Sequence, residues 1–108
     1  MSPTFTAADL VAAERRKQIR KGYTPEHDDH HTSAELARAG VSYAISGIWQ
    51  MFGVEGDEVM VPGYPDPELE WPFDAASYNP DTEAPINNLI KAAALIEAEI
   101  DRMIRRVP

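Results

Sequence analysis

PINNLIKAAALIEAEIDRMIRR, Pro85 to Arg106, is the stretch whose reading decides the fold. Proline suits the first position of a helix, where its missing N–H leaves no bond unmade. From there Ile86, Leu89, Ile90, Ala93, Ile96, Ile100, Met103 and Ile104 recur at the spacing of one helical face. Ala92, Ala94 and Ala98 keep the flanks small. Arg102, Arg105 and Arg106 stand where the helix dipole favours cations. The pattern predicts a helix from Pro85 to about Arg106 with the isoleucine-rich face buried.

Two more helices precede it. Thr6, with Asp9 three residues later, forms capping-box spacing and predicts a helix from about Ala7 to Lys21. Its apolar stripe is thin, carried by Leu10, Val11, Ala12 and Ile19. Gly22 offers the left-handed position that ends such a helix. Thr24-Pro25 reads as a second, short helix start. Thr32 and Glu35 again have capping-box spacing, predicting a helix from Ser33 to about Met51 that buries Leu36, Gly40, Tyr43, Ala44, Gly47, Ile48 and Met51. Gly40 and Gly47 share a face and would let another backbone approach closely.

Between these helices, Val54 to Glu83 holds five prolines, nine acidic residues and no Lys or Arg. Its glycines and prolines deny it any long regular element, though Glu58 to Val61 could form a short strand. Tyr64, Leu69, Trp71, Phe73 and Tyr78 predict an ordered wrap that anchors Trp71 and Phe73 against the helices. The expected architecture is therefore all-α: one domain over residues 1–108, three principal helices and a long ordered, acidic, Pro-rich loop over 54–83.

The chain has 108 residues and a net charge of -8, which repels nucleic-acid phosphates and makes nucleic acid an unexpected partner. There is no cysteine, so disulfides, thiolate ligands and a Cys nucleophile are excluded within it. Met1 to Phe5 resembles no signal peptide, and no window has the eighteen apolar residues of a membrane span. A cytoplasmic protein without a membrane partner is expected. Self-association is expected too, from the limited core of a short chain and the small faces at Gly40, Gly47, Ala94 and Ala98.

Three constellations bear on chemistry. His27, His30 and His31, with Asp28 and Asp29 between them, form a His/Asp-rich turn; His27, His30, His31 and Asp28 are the candidate ligands for a divalent metal, the one cofactor considered. The ordinary reading is a surface or helix-cap cluster. Glu97 and Asp101 share a face and could hold Mg²⁺, or could pair with Arg102, Arg105 and Arg106. Arg15 and Arg16 lead a basic cluster suited to an anionic ligand, and Tyr64, Trp71 and Tyr78 are candidate binding anchors. No glycine-rich phosphate loop and no nucleophile-elbow serine is present.

Several separated motifs keep a recognisable order: ERRKQI from Glu14, GYTPEHDD from Gly22, Glu35-Leu36-Ala37 through Tyr43-Ala44, Trp71-Pro72-Phe73, and LIKAAALIEAEIDR from Leu89. In these the chain resembles a small family of phage and prophage proteins, over most of its length except Gly47 to Glu70. Phe73 stands where such proteins often have tryptophan, and Asn87-Asn88 where they have a more basic pair. The resemblance implies a phage accessory protein and lends no catalytic residue. The expected function is non-enzymatic binding of a host protein or a small nucleotide-like anion. Its alternatives are a metal-dependent nucleotide hydrolase built on the His/Asp turn and an acidic assembly component.

Overall fold

The computed structural model describes residues 4–52 and 65–106. Tyr64 and the short strand considered at 58–61 lie outside them. Among the described residues every regular element is helical: α1 (Ala7–Arg20), α2 (Pro25–Asp28), α3 (Glu35–Met51), α4 (Pro67–Glu70), a 3-10 turn (Ala75–Ser77) and α5 (Pro85–Arg106). None of these helices is long and apolar enough to cross a membrane.

Local chemistry sets the first two helices. The Thr6 hydroxyl accepts from the Asp9 N–H at 3.2 Å, and the Asp9 carboxylate accepts from the Thr6 N–H at 3.0 Å. That reciprocal pair is the capping box. Gly22 takes φ +105° after the last turn, a conformation that side chains disfavour. Thr24 then caps α2 through the His27 N–H at 3.2 Å. α3 starts differently from the capping box expected at Thr32. Ala34 is its N-cap, at φ 61°, with no side-chain cap bond. The Glu35 carboxylate is engaged by the Ser33 N–H and, at 3.2 Å, by the His31 ring, so it is not available to Thr32.

α5 is the hub, touching α1, α2 and α3. α3 runs antiparallel to it, with Gly40 against Ile96 and Ala92 and Gly47 against Leu89 and Pro85. A Cβ on Gly40 would sit 2.8 Å from Ile96 Cγ1 and 3.0 Å from the Ala92 carbonyl oxygen. The two glycines therefore permit the backbone approach expected of them. α1 lies on another flank of α5, where Arg15 reaches Asp101 at 3.0 Å and Glu97 at 3.7 Å. No α1 side chain is fully buried.

The buried face of α5 is not the one its isoleucines predict. Asn88, Ala92, Ala94, Ala98, Glu99 and Arg102 are buried. Ile86, Leu89, Ile96, Ile100, Met103 and Ile104 stay 38 to 63% exposed. Neighbours on several flanks cover the small and polar positions, and close helix packing favours alanine there. Glu99 and Arg102 neutralise one another at 3.2 Å. The covered arc of α3 is rotated as well. Ala39, Ser42, Ile45 and Ser46 join Leu36, Gly40, Tyr43 and Gly47 in the core, while Ala44 and Ile48 are half-buried and Met51 is exposed. The returning segment packs on that side, with the Tyr78 hydroxyl bonded to the Ser42 carbonyl at 3.2 Å and to the Ser46 hydroxyl.

Residues 65–83 of that segment return across α3 and the start of α5. Asp66 caps α4 through the Glu68 N–H at 2.9 Å. At its far end Asn88, fully buried, donates to Gln50 Oε1 at 2.6 Å and to the Asp81 carbonyl at 2.8 Å, and accepts from the Asp81 N–H at 2.8 Å. The Asp81 carboxylate accepts from the N–H groups of Glu83 and Ala84, each at 2.8 Å, and from the Asn87 amide at 2.9 Å.

Two predictions follow from these contacts. Gly40→Ala drives a methyl group into Ile96 and the Ala92 carbonyl. Urea denaturation is expected to read a loss of about 1–3 kcal/mol, the usual cost of overpacking. Hydrogen bonds from the Ala84 N–H, the Asn87 amide and the Glu83 N–H lower the Asp81 pKa to about 2. Its folded pKa lies below the unfolded one, so its contribution is full above about pH 4 and is lost as pH falls toward the folded value. Denaturation midpoints of Asp81→Asn followed from pH 5 to 2 should show a shallower acid loss than the parent chain.

Candidate functional site

α1 and α3 flank α5 without packing closely on each other, which leaves a gap over the middle of α5. Its floor is Lys91 and Leu95. Glu14, Gln18 and Lys21 form the α1 wall, and Leu36 and Tyr43 the α3 wall. Trp71, Phe73, Ser77 and Asn79 close it from above, and Tyr23 stands at the α1 end. The result is a half-open cleft of about 200 Å³.

The covering segment holds its shape through its own polar groups. The Trp71 indole N–H donates to the Asp74 carbonyl at 3.0 Å and to the Ser77 hydroxyl at 3.1 Å. Ser77 in turn donates to the Asp74 carbonyl at 2.6 Å. Trp71 meets Tyr43 and Phe73 edge-on, with ring centres 5.4 and 5.5 Å apart, and lies tilted against Tyr78 at 4.9 Å. Aromatic pairs at these separations favour such geometries. Tyr43 also ties the segment to α3, since its hydroxyl accepts from the Asn79 N–H at 3.2 Å.

Charge enters the cleft from both signs. Lys91 donates to the Asn79 carbonyl at 2.8 Å, and its ammonium stands 5.4 Å from the centre of the Tyr43 ring. Burial lowers the Lys91 pKa, against the opposing pull of Glu14. Glu14 accepts from the Gln18 amide at 3.3 Å. Burial also raises the Tyr43 pKa and pushes Tyr78 up to about 12.

The His/Asp turn adjoins the cleft through Phe73. His31 packs edge-on against that ring at 5.0 Å and against His27 at 4.9 Å, and His27 meets Tyr23 at 5.8 Å. The facing Nε2 atoms of His27 and His31 are 3.3 Å apart, and His31 Nδ1 is 3.2 Å from Glu35. His30 is exposed. Asp28 is buried, and its Oδ1 has no hydrogen-bond partner among the described residues. Burial raises the Asp28 pKa, opposed by Arg15, His27, Arg105 and His31. Among the described residues no three His, Asp or Glu side chains converge to hold a metal ion.

The predicted binding residues are distributed unevenly. Trp71 is central to the cleft, while Tyr78 supports it from behind and anchors the segment on α3. Arg15 is held by Glu97 and Asp101, so it is an internal strut of the α1–α5 contact. Arg16 is exposed and does not line the cleft. The carboxylates Glu97 and Asp101 thus pair with Arg15, rather than with the arginines of their own helix. Arg105 instead reaches Asp29 at 2.7 Å and the Pro25 carbonyl at 3.2 Å. Sequence reading missed Glu14, Gln18, Lys21, Tyr43, Asn79 and Lys91 as one group. Lys21 stands in the basic cluster that Arg15 and Arg16 lead, and Lys91 is a lone charge inside the apolar run from Leu89 to Ile96, a signal that could have found it.

No protein-family model, curated protein or solved structure matches this chain.

The raised pKa of Tyr78 makes an alkaline prediction. Its folded value lies above the unfolded one, so the native state binds more protons in that window and stability falls as pH rises from about 10 toward the folded value. Tyr78→Phe removes the ionisation. Its denaturation midpoint should change less over that window than the parent's, while phenolate absorbance should lose a component near pH 12 in the variant.

Proposed function

We propose that this chain is a phage accessory protein of the binding kind, whose cleft takes a planar ring carrying an anionic group, a nucleotide-like ligand. The observation that carries this reading is the combination in one 200 Å³ cleft of the aromatic rings Tyr23, Tyr43, Trp71 and Phe73 with the ammonium groups of Lys21 and Lys91. Aromatic faces stack on any heteroaromatic ring, at about 1–3 kcal/mol per base. Gln18 and Asn79 offer amide groups to ring edges, and the lysines attract phosphate or carboxylate as compact point charges. The motifs in which the sequence resembles phage and prophage proteins are what suggest the accessory role.

Lys21 and Lys91 replace Arg15 and Arg16 as the cations of this reading, because Arg15 is committed to α5. The carboxylate-rich loop supports a second reading, a basic host-protein surface as partner. Nine acidic residues without a basic one would steer such a surface toward Val54 to Glu83.

Calorimetry and thermal shift with AMP and GMP test the proposal. Stabilisation by at least one of them is expected, with affinity weakened about tenfold or more in Lys91→Met and in Trp71→Phe. No heat and no shift at millimolar nucleotide would overturn it. Turnover of nucleoside triphosphate with Mg²⁺ or Mn²⁺ would move the protein to the hydrolase class.

A further inference from the structure

The face of α5 that the sequence marks most strongly as core is only partly covered: Leu89 and Ile96 touch α3 along one edge, and the large side chains of the face stay 38 to 56% exposed. Ile86, Leu89, Ala93, Ile96, Ile100 and Met103 follow one another at steps of three, four, three, four and three residues. α3 carries the same rhythm in Ala37, Val41, Ala44, Ile48 and Met51. A strict alternation of three and four is the seam that one helix presents to another. α3 and α5 lie antiparallel and in contact, so their seams adjoin, and no residue of either seam lines the cleft.

We propose that this surface is the interface with a second copy of the chain, so that two α3–α5 pairs close into one four-helix core. Three observations select that occupant. The first is extent. Val41, Met51, Ile86, Ile100, Met103 and Ile104 are each 45 to 63% exposed, and Leu89 and Ile96 add 38 and 40%. For side chains of this size that is on the order of 800 Å², the share each partner contributes to a stable interface. It exceeds the roughly 300–600 Å² of the largest apolar patch on a typical monomer.

The second is charge. The chain carries a net charge of -8, yet no position of either seam is charged, so the face lacks the repulsion that a like copy would otherwise meet. A basic partner, for which the rest of the chain is electrostatically suited, finds no carboxylate on it. The third is shape. At 1.5 Å per residue the two seams run roughly 25 and 20 Å, nearly equal straight edges on antiparallel helices, which a two-fold rotation lays upon themselves. Gly40, Gly47, Ala94 and Ala98, the small positions that the sequence offers for self-association, are used up within the chain. The copy is received by large side chains. The cleft and the seams share no residue, so the interface stands or falls independently of the ligand.

Sedimentation equilibrium on the full chain between about 5 and 200 µM tests the proposal, at protein concentrations that span a micromolar dissociation constant. The expected mass is twice the 12.0 kDa of one chain. Ile100→Glu and Val41→Glu should each return it to the monomer mass with helical circular dichroism retained, since both side chains are largely outside the monomer's core. Ile19→Glu, at an exposed isoleucine on α1, should leave the dimer intact. The melting temperature should rise with concentration for the parent and not for the two face variants. A monomer throughout the range would overturn the proposal. So would a dimer that both face variants leave undiminished, or an Ile100→Glu chain that loses its own fold without a change in mass, which would assign the face to another part of the same chain.

Discussion

Close approach of two helix backbones at Gly40 and Gly47 is the constraint on which the rest of the molecule depends. With no Cβ at either position, α3 comes down onto Ile96, Ala92, Leu89 and Pro85 of α5 until side chain and backbone are in contact. At that distance the covered arc of α5 accommodates alanines and one buried amide rather than isoleucines. The large side chains are turned to the outer edge of the contact. The exposed apolar face and the alanine-lined interior are thus two consequences of one short interhelical distance.

The same geometry opens the cleft. α5 contacts α1 and α3 on different flanks, and α1 brings to it Arg15, paired with Glu97 and Asp101. A helix attached through ion pairs, with no side chain fully buried, does not close down on α3 as a hydrophobic one would. The gap that remains is covered by the aromatic segment Trp71 to Asn79. That segment is held at one end by Tyr78 on Ser42 and Ser46, and at the other by the Asp81–Asn88–Gln50 node. Each attachment uses a buried polar group of α3 or α5 that would be costly to leave unpaired, so the attachment and the satisfaction of the core are one requirement.

Burying Asn88, Ser42, Glu99 and Arg102 in a core this small gives it a polar character. Such groups hold the elements in register, because each needs its partner at a defined distance, and they add less apolar burial than the isoleucines outside would. An interior of alanines and paired polar groups beside a half-exposed isoleucine face has the chemistry of a half-core, which the proposed second copy would complete.

Element boundaries were legible in the sequence wherever capping is a matter of a few neighbouring residues. Thr6 with Asp9, Gly22, Thr24 with Pro25, and the run from Pro85 to Arg106 each specify a start or stop through contacts within one turn, and each is found. Thr32 with Glu35 has the same spacing and fails, because Ser33 and the ring of His31 hold that carboxylate. The identity of the buried faces was not legible. Periodicity shows that a helix has an apolar side, but which side is covered depends on what packs beside it, and Gly40 and Gly47 let α3 settle on Ala92, Pro85 and the edge formed by Leu89 and Ile96, which leaves the rest of the isoleucine face exposed. The cleft was hidden for a related reason: Glu14, Tyr43, Trp71 and Lys91 lie on four separate stretches of chain, and only the tertiary arrangement of α1, α3 and the returning segment about α5 brings them within reach of one ligand. The sequence by itself determined where α1, α2 and α5 begin, through residues three or four apart or a proline at the first position. The tertiary structure alone decided which surfaces are inside, through packing distances that no local pattern records.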